Sequence, residues 1–366
     1  MPACVQGHNK VTIPTQFSES IACFNLCLLF LSMSAPLSTH STAFWLLVPT
    51  YNPGAQNWNE WIGALKVQTS QPLEVVVVDS GSTDGTLEKS RQAGFKVLEV
   101  KAANFNHGGT RQWALDQAMA SMAATGQAAP PWVVYLTQDA IFSNPLALTH
   151  LLEAFQDPQV GAVFGRQLPK NNATWMEAHA RHFNYPDQSR TVQLQDKEIL
   201  GIKACFFSDA FAAYRIQALL QQGGFPAKVP LGEDTFTAAK LLLSGHSLRY
   251  QAHASVYHSH QYNSLQDFQR MFDTGVFHAQ NHWLRQTFGK AEGEGWRYAQ
   301  SQLAYLKAQG QTSSLVVGLF QMIYKNAVKL AGYRLGLMHE YLPLRLKQMC
   351  AMHKPYWATP TEKPSA

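Results

Sequence analysis

The 366-residue chain is poor in charge: Asp, Glu, Lys and Arg together make up 14% of it, against roughly a quarter in soluble domains. Lys and Arg number 29 and Asp and Glu 24, a net charge of +5. That excess is too slight to argue for a nucleic-acid partner, and none is expected. Cysteine is scarce too, five residues with no CxxC pair. A disulfide framework is thereby excluded and a reducing compartment implied. Long apolar runs are missing. The strongest near the start, Ile21–Met33, falls short of the ~20 residues of a spanning helix. Its only preceding cation, Lys10, is opposed by Glu19, which makes a poor secretory leader. Residues 1–42 are therefore expected to be a leader or an extension of the reading frame, with Met33 a candidate start. The chain also lacks GxxxxGK[ST], a GxGxxG after its first strand, GxSxG and HExxH. P-loop, dinucleotide-oxidoreductase, α/β-hydrolase and zincin chemistries fall away with them.

What is present is apolar residues, 46% of the chain, in a repeating order. That content rules out a disordered chain. Phe44–Val48, Leu73–Val78, Phe95–Val100, Trp132–Leu136 and Val160–Phe164 are short apolar runs. Helical patterns stand between them at Trp58–Thr69, Thr83–Ala93, Arg111–Ala124 and Leu146–Phe155. Continuous apolar strands alternating with helices predict an α/β fold whose mostly parallel central sheet is covered on both faces. Ligands in such sheets sit at the carboxyl ends of the strands. The polar clusters at 49–52, 79–84 and 137–140 all fall at those ends. Residues 166–230 are mixed and polar, and Leu315–Leu337 is a long helix carrying Lys325, Lys329 and Arg334. It reads as a basic amphipathic helix suited to an anionic membrane surface, or as a helix packed on the catalytic domain or on a dimer partner.

Several clusters can carry chemistry. Asp79-Ser80-Gly81-Ser82-Thr83-Asp84 follows an apolar strand and opens a helix. Asp79 there can accept from a nucleoside, or the stretch is an ordinary strand-to-helix turn with a capping hydroxyl. Gln138-Asp139 ends another strand, where a lone carboxylate can hold a hard divalent cation or cap a helix. Glu233-Asp234 opens a helix, a place carboxylates favour in any case. As a general base, one of them would deprotonate a hydroxyl. His258 and His260 alternate along an extended segment, so at most one is expected to face a metal. Asn106-His107-Gly108-Gly109-Thr110-Arg111 is a Gly-rich turn before a helix whose amides can cradle an anion.

Taken together these motifs, from about Phe44 to His260, resemble glycosyltransferase family 2, whose members have the GT-A fold. Pro49-Thr50-Tyr51-Asn52 is similar to that family's first-strand motif, Val78–Thr86 to its DxSxDgT nucleotide element and Gly232-Glu233-Asp234 to its catalytic ED. Asn104–Arg111, Leu136–Ala140, His258–Tyr262 and Met352–Trp357 resemble the bacterial rhamnosyltransferases that assemble O-antigen and related surface polysaccharides. One departure stands out. The usual DxD is here Gln138-Asp139-Ala140, a single acid.

The resemblance implies inverting transfer of L-rhamnose from dTDP-β-L-rhamnose to a hydroxyl of a glycan or lipid-linked oligosaccharide. It assigns the base to Asp234 with Glu233 in support. Donor contacts fall to Pro49, Thr50, Tyr51, Asp79, Ser80, Asp84, Asn106, His107, Gly108, Arg111 and Gln138. Mg²⁺ or Mn²⁺ would be held by Asp139 with His258 or His260. Such an enzyme would be cytoplasmic and peripheral at the inner face of the plasma membrane. Two alternatives remain open on sequence: a family 2 transferase using UDP-hexose or UDP-galactofuranose, and a non-catalytic sugar-nucleotide or glycan-binding protein. The domain plan runs from the leader to a catalytic domain at 43–290, with nucleotide half 43–165 and acceptor half 166–290. A C-terminal helical region at 291–353 and a flexible tail at 354–366 follow.

Overall fold

The computed structural model describes residues 43–289, 292–308 and 312–358, and the expected leader lies outside them. The strands are β1 (Phe44–Thr50), β2 (Glu74–Asp79), β3 (Lys96–Glu99), β4 (Trp132–Leu136), β5 (Ile141–Phe142), β6 (Val160–Leu168), β7 (Arg190–Val192), β8 (Phe211–Arg215) and β9 (Ser247–Tyr257). They join one sheet in the order β3-β2-β1-β4-β8-β6-β9-β5, with β7 also paired to β9. Helices α1 (Ala55–Lys66), α2 (Thr86–Gln92), α3 (His107–Ala124) and α4 (Ala147–Glu153) connect the first strands. Next come α5 (Trp175–Asn184), α6 (Lys197–Leu200), α7 (Ile216–Gln221) and α8 (Glu233–Leu243). The chain ends in α9 (Ser264–Gln280), α10 (His282–Phe288), α11 (Glu292–Ala308), α12 (Thr312–Leu337) and α13 (Leu344–Cys350).

The apolar runs are continuous because each strand feeds two cores. Trp45 and Leu47 join Val76, Val78, Val133 and Tyr135 on one face. Phe44, Leu46 and Val48 join Val75, Val77, Val134 and Leu136 on the other. Alternate side chains of a strand point to opposite faces, so both must be apolar when both are covered. β1, β2, β3 and β4 run parallel, as expected. Beyond β4 the sheet is mixed. β8 lies antiparallel between β4 and β6, and β9 runs parallel to β6. β8 falls inside the stretch that reads as mixed and polar, and its reversed direction has a consequence. Its N-terminal end sits beside the C-terminal end of β4, with Phe211 opposite Leu136.

α9 and α12 pack backbone to backbone. A Cβ on Gly332 would stand 2.3 Å from the Phe268 carbonyl oxygen, and one on Gly336 would stand 2.1 Å from that of Phe272. This packing turns the lysines of α12 inward. Lys325 Nζ donates to Asp267 Oδ2 at 2.7 Å and to the Tyr262 carbonyl at 2.9 Å. Lys329 Nζ lies 3.7 Å from Asp267 Oδ1. Of the three cations expected to make this helix basic, the two lysines thus turn inward, because a buried acid on α9 claims both, while Arg334 stays exposed. The flexible tail expected from 354 is also corrected at its start. Lys354–Trp357 form a 3₁₀ turn, and Tyr356 and Trp357 pack on a small core of Phe272, Val276 and Ala351.

Candidate active site

At one end of the sheet the strand-end loops are laced to one another. Thr50 Oγ1 donates to Asp79 Oδ2 at 2.8 Å, and Asp79 Oδ1 accepts from the amides of Gly81 and Ser82 at 2.9 and 2.7 Å. Ser80 Oγ donates to the Thr50 carbonyl at 3.0 Å. Asp84 accepts from the amides of Gly54 and Thr86 at 2.6 and 3.2 Å and from the Thr86 hydroxyl. Burial opposes ionisation of Asp84, but these donors outweigh it and hold its pKa down. Tyr51 and Gln138 exchange two hydrogen bonds, amide to Oε1 at 2.7 Å and Nε2 to carbonyl at 3.1 Å. Pro49 lies in β1 opposite Val78. The carboxylates of Asp79 and Asp84 therefore shape the loops, and Tyr51, 55% exposed, is open to a ligand.

Asp139 meets both histidines. Its Oδ2 lies 3.4 Å from His258 Nε2 and 3.4 Å from His260 Nδ1. The ligand atoms of the three residues all fall within 4.8 Å of one another. The expectation that the two imidazoles diverge is overturned, because β9 stops at Tyr257 and the alternation of an extended strand stops with it. Gln167 fixes the His258 ring. Its Nε2 donates to Ser208 Oγ at 2.8 Å, so its Oε1 faces His258 Nδ1, also at 2.8 Å. A carbonyl oxygen only accepts, so His258 Nδ1 carries a proton and its Nε2 is the nitrogen turned to Asp139. Burial lowers the His258 pKa against the pull of Asp139, and burial with His258 beside it takes His260 down to about 3. Burial would raise Asp139, yet its contacts with the two histidines hold it well below the ordinary carboxylate range. An ionised carboxylate beside two neutral imidazoles, one with its outer nitrogen anchored, fits a divalent cation.

The second cluster is carboxylate-rich. Arg111, on α3, is only 5% exposed. Its Nη1 donates to Glu233 Oε1 at 2.6 Å and to the His107 carbonyl at 3.0 Å, and its Nε lies 3.5 Å from Asp209 Oδ2. Arg111, expected on the donor side, is thus engaged by two acids. Tyr214 donates to Asp209 Oδ1 at 2.6 Å. Burial pushes Asp209 up to about 8 against the attraction of Arg111, with Asp234 and Glu233 adding to the rise. Asp234 takes the amide of Thr235 at 2.6 Å and has no ion pair among the described residues. Burial, then the neighbouring Glu233, raise it to about 6. Asp209 is the acid that the sequence does not reveal. In a parallel sheet the ligand-end acids follow strands; Asp209 precedes one, yet β8 runs backwards and delivers it to the same end.

The Gly-rich turn serves packing as much as binding. Asn106 Oδ1 caps α3 by accepting from Gly109 at 2.6 Å. A Cβ on Gly108 would stand 2.0 Å from the Pro226 carbonyl oxygen and 3.1 Å from Glu233 Cβ. His107 Nε2 meets Nε2 of His353 at 3.2 Å. Burial, with Arg111 and Arg270 near, lowers His107 to about 3. His353 is a second residue that sequence pattern alone did not place at the site.

Comparison with known proteins follows the same lines. Residues 45–222 match the model of a family described as glycosyl transferase family 2. Over 315 residues the chain is 42% identical to the O-antigen chain rhamnosyltransferase WbaN of Salmonella anatum, covering 86% of this chain and 96% of that protein. It is 38% identical over 313 residues to the O-antigen chain rhamnosyltransferase RfbN of Salmonella typhimurium, covering 85% and 95%. Among solved structures, a mannosyltransferase from Pyrobaculum calidifontis in complex with GDP-Man and Mn²⁺ is similar with a TM-score of 0.54 at 20% identity. That match covers 87% of this chain and 95% of the other.

Proposed function

The chain belongs to glycosyl transferase family 2 and has the GT-A fold, and from that premise we propose that this glycosyltransferase moves L-rhamnose from dTDP-β-L-rhamnose to a sugar hydroxyl. The acceptor is a lipid-linked oligosaccharide on the cytoplasmic side of the membrane, in the assembly of O-antigen. The choice of sugar rests on the two O-antigen rhamnosyltransferases to which the chain is 42% and 38% identical.

The roles follow from the two clusters. Asp234, free of any ion pair among the described residues, is the base. As the acceptor oxygen bonds to the anomeric carbon, its proton passes to Asp234 Oδ. The bond from that carbon to the diphosphate oxygen breaks, and dTDP leaves with the electron pair, so the configuration inverts. Glu233 is held in place by Arg111 and orients the acceptor from the first turn of α8. Asp139, His258 and His260 would hold the cation. A bound Mg²⁺ or Mn²⁺ supplies charge stabilisation to the departing diphosphate. Two imidazoles in the donor set favour Mn²⁺, the softer of the two.

The observation that supports this reading most is the continuity of the two clusters. His258 bonds to Gln167, Gln167 bonds to Ser208, and Ser208 precedes Asp209 beside Arg111 and Glu233. A binding module has no need to couple a cation site to an unpaired carboxylate. The test is nucleoside diphosphate release from a panel of sugar nucleotides with Mn²⁺, with and without EDTA. Release of dTDP from dTDP-rhamnose, lost in EDTA, is expected. Release of UDP from a UDP-sugar instead would overturn the donor, and tight binding of dTDP with no transfer to any glycan acceptor would overturn catalysis.

A further inference from the structure

α12 is inverted relative to an ordinary surface helix. Its lysines point inward to Asp267, as described, and its solvent side is mostly apolar, interrupted by Gln321 and Arg334. Val316, Val317, Phe320, Ile323, Tyr324 and Leu330 are each between 54 and 71% exposed. At about 3.6 residues per turn these positions fall on one broad face, and the 26-residue helix extends for about 39 Å at ~1.5 Å per residue. Exposed Tyr341, Leu344 and Met349 extend the apolar surface past its end. Isolated exposed apolar residues are ordinary, but a contiguous stripe of this length marks an interaction surface. No helix among the described residues is long and apolar enough to cross a membrane.

The charge around the stripe selects the occupant. Residues 312–358 contain six Lys or Arg and one acid, Glu340; with Lys325 and Lys329 turned in to Asp267, four of the six remain to face outward. Arg334, Arg345 and Lys354 are exposed, and Lys347 lies over the Trp357 ring, 5.3 Å from its centroid. A second copy docking through this surface would bring the same cations to face themselves, since a two-fold contact pairs a patch with itself. An anionic lipid surface neutralises them and takes the apolar side chains.

We propose that the outer face of α12, with α13 beside it, lies flat in the headgroup layer of an anionic bilayer, Phe320 and Ile323 at its centre. The inference stands apart from the transfer reaction, because it rests on exposure and charge alone.

The experiment is vesicle flotation of the full chain. Vesicles of phosphatidylcholine with phosphatidylglycerol should carry it, and phosphatidylcholine alone should carry much less. The double variant Phe320→Glu, Ile323→Glu should lose roughly tenfold in partitioning with unchanged thermal melting, since both positions face solvent. Arg345→Glu with Lys354→Glu, outside the stripe, should weaken binding to the anionic vesicles only. No flotation of the wild type would overturn the proposal, as would equal flotation of the Phe320/Ile323 variant. So would a solution dimer, seen by light scattering, that the same variant dissociates, because the stripe would then be a contact between copies.

Discussion

At Asp234 the hydrogen-bond donors are backbone amides, those of Thr235, next in sequence, and of Asp209, while the nearest guanidinium is taken by Glu233. Burial and the adjacent Glu233 both make the proton harder to lose, and the pKa rises to about 6 from the ordinary value near 3.8. A base must be ionised to act. With a raised pKa the ionised form is present above about pH 6 and is lost as pH falls through that value. The transfer rate should therefore show an acid limb near pH 6, read from kcat/KM against pH with a saturating metal. A limb near pH 4 would place the base elsewhere. Asp234→Asn keeps the volume and removes the base, so kcat should fall by roughly 10²–10⁴-fold, the usual worth of a general base. Calorimetric dTDP binding should be unchanged, because Asp234 lies in the Arg111 cluster and not among the strand-end loops.

The pairing of α9 with α12 depends on atoms that are missing from the sequence. Gly332 and Gly336 let the two backbones close to a distance no side chain tolerates. Gly336→Val would drive its branched side chain into the Phe272 carbonyl and push α12 away. Overpacking of this kind costs about 1–3 kcal/mol, and loss of the Lys325–Asp267 contact would follow. A drop of several degrees in melting temperature is expected, with α12 amides exchanging faster. An unchanged melt would mean that α12 is held by α11 alone.

The same elements show what a sequence reveals. β1, β2 and β4 were legible because strands buried on both faces must be apolar throughout, a pattern few loops imitate. β8 was not legible, since Phe211–Arg215 is a short run with two alanines in a polar stretch. With β8 unseen, the reversal that brings Asp209 to the site was unseen too. The histidines misled for a local reason. Alternation holds only within a strand, and His258 is the first residue past the end of β9.

Over the whole molecule the chain returns to where its chemistry begins. His353 meets His107 across 246 positions of sequence, and one acid organises that return. Asp273, buried on α9, accepts the amides of Met352 and His353 through Oδ2, both at 3.0 Å. Tyr356 adds a bond from its hydroxyl to Gln280 Oε1 at 2.6 Å. Asp273→Ala would leave two half-buried amides without their acceptor, at about 1 kcal/mol. The rest of the fold keeps its cores, so the loss should stay local. Hydrogen exchange across residues 351–358 should accelerate several-fold, while the sheet amides are unaffected. His353 contacts His107, which the resemblance assigns to the donor, and not Asp234. The functional effect should then fall on binding, with KM for the donor raised several-fold and kcat retained. A fall in kcat at unchanged KM would mean that the C-terminal segment serves the carboxylate cluster. Unchanged exchange would mean that Tyr356 and Trp357 hold the segment in place without the acid.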